Sequence, residues 1–410
     1  MTGVSSVLVF CCGFLVHFPR PFAFNGVIGS GFLDRTAPFD LVLGLTILAC
    51  ILRRGIAMPG RAYVGWLMLL VSGLISSLGS SRGLSDEALI ISFAIAAGAL
   101  LPAAIGTTQH LKAFTTGYIT GAFALSIVLL YDSGALLAGY APLYFEITRR
   151  LRGPFYLSSQ AGQHIAASIF LLLAFSRSHI GRLRTIGVAT AAVMVVPLVL
   201  TGRRTALFAA LLGLTLLLIW VGRRSVLVSA TGIAMLIGCG MLVGGAEDGY
   251  LATVRARVMS IGNVDPETSF TSMQAAAALQ AFESSPVIGI GPGQFQLSIF
   301  DPSGNELHSV FSKVLAEYGA VGIFSLLVAL SVTAFHCVSL CRRCRKVDEL
   351  TAVCLSLCVL VCYIGTVHNV IMRERSFWIA VAAVTVYSTR LRAAAAVPAQ
   401  LYLPPRYVPA

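Results

Sequence analysis

Long apolar runs, separated by short polar segments, recur from one end of the chain to the other. Most are about 17 to 22 residues long, enough to cross the hydrocarbon core of a bilayer as a helix. They predict twelve spans, near 3–19, 38–53, 62–79, 88–106, 113–131, 160–176, 185–201, 205–221, 225–244, 309–336, 350–367 and 376–390. The pattern predicts an all-α polytopic integral membrane protein with about twelve transmembrane helices.

One long polar segment interrupts this pattern, at residues 245–308, and it leads directly into the apolar run at 309–336. We expect it to be an external loop between spans nine and ten and to hold the working residues of the protein. Spans one to nine then occupy 1–244, spans ten to twelve occupy 309–392, and 393–410 is a cytoplasmic tail. The first run is expected to be a retained span, because Pro19-Arg20-Pro21 follows it where a cleavage site needs small residues.

Composition supports the membrane class, since 57% of the residues are hydrophobic and only 11% are charged. The net charge of +12 could in principle indicate a nucleic-acid partner. However, more than half of the basic residues fall in alternate short loops, which predicts that those loops are cytoplasmic. These residues are Arg53, Arg54, Arg61, Lys112, Arg177, Arg182, Arg184, Arg223, Arg224, Arg342, Arg343, Arg345, Lys346, Arg390, Arg392 and Arg406.

This orientation places both termini in the cytoplasm and the 245–308 loop outside. The basic residues then interact with membrane lipids, and no nucleic acid is expected. The ten cysteines all fall in predicted spans or at their cytoplasmic ends, so no external disulfide is predicted. Cys341-Arg-Arg-Cys344 lacks a second pair and a histidine cluster, and no DxD-type acidic pair occurs in the early loops. We therefore predict neither a metal site nor a cofactor.

Arginines on the outer face oppose the charge bias and need another reason. Arg203 and Arg204 lie in a short external turn at the start of a span, and Arg255 and Arg257 lie in the long loop. They are either interfacial anchors for headgroup phosphates or ligands of a phosphate group, since the guanidinium fork matches phosphate geometry. Several such arginines without an acidic cluster suggest an anionic, lipid-linked substrate.

His308 lies between a polar stretch and a long apolar helix, so it is expected at the membrane–water boundary facing the loop. It is either an interfacial residue at a helix start or a base that takes a proton from a hydroxyl. Lys313 and Glu317, four residues apart in the following helix, are expected to neutralise each other inside the bundle, or Glu317 orients a partner near the site. His164 is expected to be a buried hydrogen-bonding residue, and His17 to be incidental.

Gly289-Ile-Gly291-Pro292-Gly293 lacks the strand, helix and acidic residue of a nucleotide-binding fingerprint. Gly291 and Gly293 are instead expected to form a tight turn that brings backbone close to the site.

The order of these motifs resembles the O-antigen ligase and polymerase superfamily of bacterial membrane glycosyltransferases. The resemblance rests on Gly202-Arg-Arg204-Thr-Ala-Leu at a span start, Pro286-Val-Ile-Gly-Ile-Gly291-Pro-Gly-Gln-Phe295 in the loop, His308, and Leu315-Ala-Glu317-Tyr-Gly319-Ala-Val-Gly322. It covers roughly 150 to 340. Ligase-like members commonly have Ser-Arg and His-Asn where this chain has Arg203-Arg204 and His308-Ser309, so the resemblance leaves ligase and polymerase open.

The resemblance implies metal-independent transfer of a glycan from undecaprenyl diphosphate to an acceptor sugar hydroxyl at the periplasmic face. The acceptor is the lipid A core for a ligase and a growing glycan chain for a polymerase, in O-antigen or exopolysaccharide biosynthesis. Carried over, Arg204 and Arg257 (or Arg255) match the family arginines and His308 matches the loop histidine.

Two other classes remain open from sequence. A transporter or flippase of lipid-linked oligosaccharide would place charged residues in several spans and pair broken helices. A wall-synthesis polymerase would use an acidic residue of an outer loop, and Asp265, Glu267, Asp301 and Glu306 are available.

Overall fold

The computed structural model describes residues 2–18, 42–46, 48–49, 63–80, 108–143, 145–146, 150–151, 158–177, 182–201, 206–207, 210, 252, 270–295, 298, 300, 307 and 309–343. In this part of the chain the structure is helical, apart from one hairpin of two very short strands. In chain order the elements are α1 (Thr2–Leu15), α2 (Val64–Gly79), α3 (Thr108–Leu137), β1 (Phe145–Glu146), β2 (Arg150–Leu151), α4 (Ser158–Arg177), α5 (Arg182–Leu200), α6 (Phe270–Ser284) and α7 (Val310–Arg343).

Two of these helices are long and apolar enough to cross a membrane. The qualifying stretches are Lys112–Leu137 in α3, with 26 residues, and Val310–His336 in α7, with 27 residues. Both expose large apolar side chains, including Ile127 and Phe324, as lipid-facing helices do. The helical, membrane-embedded class predicted from sequence therefore holds for these segments.

The remaining helices match the predicted spans to different degrees. Shorter apolar helices lie at Ser6–Leu15, Val64–Gly79, Ala161–Leu173 and Thr185–Leu200, all within predicted spans. The predicted spans near 88–106, 225–244, 350–367 and 376–390 lie outside the described residues, and those near 38–53 and 205–221 lie largely outside them. The twelve-span layout therefore stays a prediction.

Helices α1 and α3 pack in parallel through glycines. Gly117 and Gly121 lie against the backbone of Phe10 and Phe14, and Gly13 lies against the backbone of Phe114. A Cβ at any of the three glycines would overlap a carbonyl oxygen of the other helix. Small residues permit this close approach of two helix backbones, so α1 is an integral part of the bundle.

An apolar core joins α3 to α4 and α5. It contains Leu125 and Leu129 of α3, Ile165 of α4, and Met194 and Leu198 of α5, all fully buried.

A second group of helices consists of α2, α6 and α7. Helix α2 runs antiparallel to α7, because Gly65 contacts the backbone of Ala329 while Gly73 contacts the ring of Tyr318. The indole Nε1 of Trp66 donates a hydrogen bond of 3.2 Å to Oγ1 of Thr333. Opposite directions are what the sequence predicts for spans three and ten. Helix α6, which lies within the predicted loop, packs against α7.

Candidate functional site

Helix α7 is interrupted at Gly319, where φ is 65° and ψ is −161°. A residue with a side chain rarely adopts this backbone conformation, whereas glycine adopts it at low cost. The interruption removes two hydrogen bonds of the regular helix, those from the amides of Ala320 and Val321 to the carbonyls of Ala316 and Glu317. The apolar pattern of this helix gives no sign of the break.

The lost bonds are replaced by bonds to residues 285–295, which we call the glycine loop. The amides of Ala320 and Val321 donate to the carbonyls of Pro286 and Val287, at 2.9 and 3.2 Å. The carbonyls of Ala316 and Glu317 accept from the amides of Ile290 and Gly291, both at 3.0 Å. All four backbone groups released by the break are therefore bonded by the loop, as buried backbone groups require.

Two glycines make this exchange sterically possible. Gly289 has φ 73° and Gly319 has φ 65°. A Cβ on Gly319 would lie 2.6 Å from the amide nitrogen of Gly289, and one on Gly289 would overlap the carbonyl carbon of Glu317. A side chain on Gly319 would therefore collide with the backbone of Val287 and Gly289, and one on Gly289 with the backbone of Glu317 and Tyr318.

The predicted turn residues of the loop also have left-handed backbones. Gly291 has φ 105° and Gly293 has φ 73°, and the amide of Gln294 donates to the carbonyl of Gly291 at 3.1 Å. The whole 291–295 stretch is buried. This is the tight, buried turn that the glycine pattern predicted.

The last turn of α2 contacts both the break in α7 and the glycine loop. Ser76 Oγ donates a hydrogen bond of 2.7 Å to the carbonyl of Glu317, across 241 positions of sequence. Gly79 lies beside the Ile288 side chain, and Ser80 lies beside Gly291. Helix α2, the glycine loop and the break in α7 thus form one contiguous unit.

His308 itself lies outside the described residues, but the residues on either side of it are placed. Leu307 is buried in a cluster with Ala281 of α6, Phe295 of the glycine loop and Ala316 of α7. Ser309 precedes α7, and its carbonyl accepts the amide of Lys313 at 2.9 Å. Leu307 and Ser309, the two neighbours of His308 in sequence, are therefore both placed, directly before the first turn of α7.

Lys313 and Glu317 are both buried in the first part of α7, each with 2% of its surface exposed. They lie one helical turn apart, on the same face. The sequence prediction placed this pair inside the bundle, and that placement is confirmed. The carbonyl of Glu317, rather than its carboxylate, makes the contacts to Ser76 and Gly291 described above.

The four predicted phosphate-binding arginines, Arg203, Arg204, Arg255 and Arg257, also lie outside the described residues. The structure does place residues that bracket the first pair. A Cβ on Gly162 of α4 would lie 3.0 Å from Oγ1 of Thr201 and 2.8 Å from Cβ of Ala206. Thr201 and Ala206, on either side of the first pair in sequence, therefore both lie beside the first turns of α4.

A separate polar cluster joins α1, α3 and α4. The Tyr118 hydroxyl and Nδ1 of His164 are 2.9 Å apart, within hydrogen-bonding distance, which confirms His164 as a buried hydrogen-bonding residue. The ring centroid of His17 lies 4.4 Å from that of Tyr118 and 5.0 Å from that of His164. His17, expected to be incidental, is fully buried in this cluster.

Comparison with known proteins finds a family match in the central region of the chain. The family model described as O-antigen ligase matches residues 189–327. No curated protein matches the chain. The matched region contains Arg203, Arg204, Arg255, Arg257 and His308, together with the glycine loop and the break in α7. The family match and the apolar helices together indicate a membrane protein, and the match at residues 189–327 supports the resemblance to the O-antigen ligase superfamily that the motifs carry.

Proposed function

We propose that the protein transfers a glycan from undecaprenyl diphosphate to an acceptor sugar hydroxyl at the periplasmic face of the bacterial inner membrane. The observation that carries the proposal is the O-antigen ligase match, which encloses the arginines, the glycine loop and the histidine in a single region. The fixed backbone on both sides of His308 supports a catalytic role, because a general base must be held within hydrogen-bonding reach of the hydroxyl it activates.

In the proposed reaction the acceptor oxygen attacks the anomeric carbon of the donor glycan. The bond from that carbon to the diphosphate breaks, and His308 takes the proton of the attacking hydroxyl. The departing diphosphate gains negative charge, which the guanidinium groups of Arg204 and Arg257 offset, with Arg203 and Arg255 beside them. Neither a metal nor a cofactor enters this scheme.

The acceptor decides between two forms of the proposal. Attachment of a finished chain to the lipid A core is the ligase reaction. Extension of a lipid-linked chain by repeat units, for O-antigen or exopolysaccharide, is the polymerase reaction. The family description favours the ligase form.

A transporter or flippase of lipid-linked oligosaccharide is the second candidate, and the break in α7 is the observation that bears on it. Transporters use broken helices whose free ends face the substrate. Here the freed backbone groups of α7 are bonded by the glycine loop, so they are not available to a substrate. The break therefore supports a role in rigid positioning.

The test uses a deletion strain of the source organism that carries wild type or His308→Ala at equal expression. Surface and lipid-linked glycans are compared on gels. Loss of long chains from the lipid A core, with long chains left on the carrier lipid, identifies a ligase. Core capped by single repeats, or loss of a secreted polymer, identifies a polymerase. Wild-type glycans from His308→Ala would contradict the proposed chemistry.

Replacement of Asp265, Glu267, Asp301 and Glu306 one at a time separates the remaining alternative. Activity lost at one of these acids but retained in His308→Ala would instead favour a wall-synthesis type of polymerase.

A further inference from the structure

The two parts of α7 are held to α2 by different hydrogen bonds. On the second part, after the break, Trp66 Nε1 donates to Thr333 Oγ1 at 3.2 Å. On the first part, before the break, Ser76 Oγ donates to the Glu317 carbonyl at 2.7 Å. Ser76 and Glu317 are both buried, and Ser76 has no exposed surface. Each part of α7 thus has its own hydrogen bond to α2.

Because of the break, the bond from Trp66 to Thr333 does not by itself fix the position of the first part of α7. A continuous helix would transmit the position of Thr333 to its own first turn, because its backbone bonds run without interruption. At Gly319 two of the direct bonds between the two parts are replaced by bonds through the glycine loop. The direction of the first part therefore depends on the loop and on Ser76.

The first part of α7 acts as a lever for the residue that precedes it. Residues 310–318 span about 13 Å at the rise of an α-helix. A rotation of about 5° about Gly319 would displace the start of the helix by about 1 Å over that length. A displacement of that size at a reacting group can cost about 100-fold in rate. His308 directly precedes this start.

We propose that Ser76 is a positioning residue of the transfer reaction. Its hydroxyl holds the Glu317 carbonyl and thereby fixes the first part of α7, with His308 in front of it. This inference rests on the proposed function of His308. Ser76 would act through backbone alone and touch neither donor nor acceptor.

Helix α2 offers a matched control. Ser72 lies one turn before Ser76 on the same helix and is also buried. Its Oγ donates to the Leu69 carbonyl at 2.8 Å, within α2 itself. Loss of that hydroxyl removes a bond inside one helix and leaves the contact to α7 unchanged.

The experiment measures glycan transfer by purified full-length protein in lipid nanodiscs. Its donor is the lipid-linked glycan isolated from the deletion strain, and its acceptor is lipopolysaccharide core or lipid-linked glycan from the same strain. Ser76→Ala and Ser76→Cys are each expected to lower kcat about tenfold with KM for the donor within about twofold. Ser72→Ala is expected to retain wild-type kcat. The cysteine variant fills the space of the serine but donates only weakly, so it separates the hydrogen bond from packing.

Wild-type kcat in Ser76→Cys would overturn the inference, because packing alone would then suffice. So would a loss in Ser76→Ala that follows only the fraction of folded protein, judged by thermal unfolding of each variant. A rise in KM at constant kcat would also overturn it, because it would place Ser76 in donor binding. His308→Ala is measured in parallel. If it transfers glycan normally, the proposed function fails, whereas normal Ser76 variants beside an inactive His308→Ala defeat only this inference.

Discussion

At the scale of single residues, two glycines and one serine account for the shape of the candidate site. A side chain on Gly289 or on Gly319 would overlap backbone atoms of the opposite segment, and both glycines have left-handed backbones. Ser76 adds a hydrogen bond from another helix to the same point. None of these residues is expected to touch substrate, yet they determine the backbone that carries His308.

Gly319→Ala tests the break directly. A left-handed backbone costs an alanine about 1–2 kcal/mol, and the new Cβ would also lie 2.5 Å from the Val287 carbonyl oxygen. We expect a lower midpoint of thermal unfolding in detergent and a loss of stability of about 2 kcal/mol or more. Gly134→Ala in α3 is the control, since a Cβ there meets nothing within 4 Å. Equal stability of the two variants would contradict the interlocked arrangement.

Tyr118→Phe tests the buried cluster that joins α1, α3 and α4. The change removes the hydrogen bond to His164 and leaves a buried ring nitrogen without that partner, at a cost of about 1–2 kcal/mol. The midpoint temperature of thermal unfolding of Tyr118→Phe should be lower than that of wild type. Tyr131→Phe on the same helix is the control, because Tyr131 is 62% exposed, and it should unfold as wild type does. Unchanged unfolding of Tyr118→Phe would show that the bond contributes nothing to folding.

At the scale of elements, α6 packs against the glycine loop and α7. Its buried face carries Ala278 and Ala281, which pack with Phe295 of the loop and with Leu307. Small side chains on this face let the loop lie close to the helix. The backbone before His308 is therefore enclosed by α6, the loop and α7.

Ala281→Leu is predicted to disturb that enclosure. Ala281 is fully buried, and a larger side chain in a packed site typically costs about 1–3 kcal/mol. The expected result is lower thermal stability together with reduced glycan transfer per folded molecule. Ala276→Leu, at an exposed position of the same helix, should change neither. Full transfer by Ala281→Leu would mean that this packing does not position His308.

The sequence predicted the helices but not the contacts among them. Apolar runs located α2, α3, α4 and α5 because a span must bury its length in lipid. The glycines at 289, 291 and 293 signalled a tight turn because they tolerate left-handed backbone. The break at Gly319 was missed because its replacement partners, Pro286 to Gly291, lie outside the helix. Ser76 was missed because a serine within an apolar run gives no sign of a carbonyl 241 positions away.

At the scale of the whole molecule, the direction of the described helices fits the predicted orientation. Helices α2 and α7 are antiparallel, and α1 and α3 are parallel, as spans three and ten, and one and five, should be. The predicted periplasmic side would then carry the end of α2, the glycine loop and the start of α7 together. Glycan transfer as proposed requires the end of α2, the glycine loop and the start of α7 to lie on the face where the donor glycan is presented.

Cysteine labelling tests this orientation. In a variant whose ten native cysteines are replaced, Ser284→Cys at the end of α6 should react with a membrane-impermeant maleimide in intact spheroplasts. Ser178→Cys, in a predicted cytoplasmic loop, should react only after permeabilisation. The reverse pattern would place the glycine loop in the cytoplasm and exclude the proposed site of reaction.

The most direct test of glycan transfer is reconstitution. Purified protein in nanodiscs would receive isolated lipid-linked glycan and the acceptor, with a metal chelator present, and the products would be followed by mass. Wild type is predicted to move the glycan from the diphosphate to the acceptor, while His308→Ala and Arg204→Ala leave it on the carrier. If folded wild type leaves the glycan on its carrier here, but moves the carrier across a liposome bilayer, the protein is a transporter and the account is wrong.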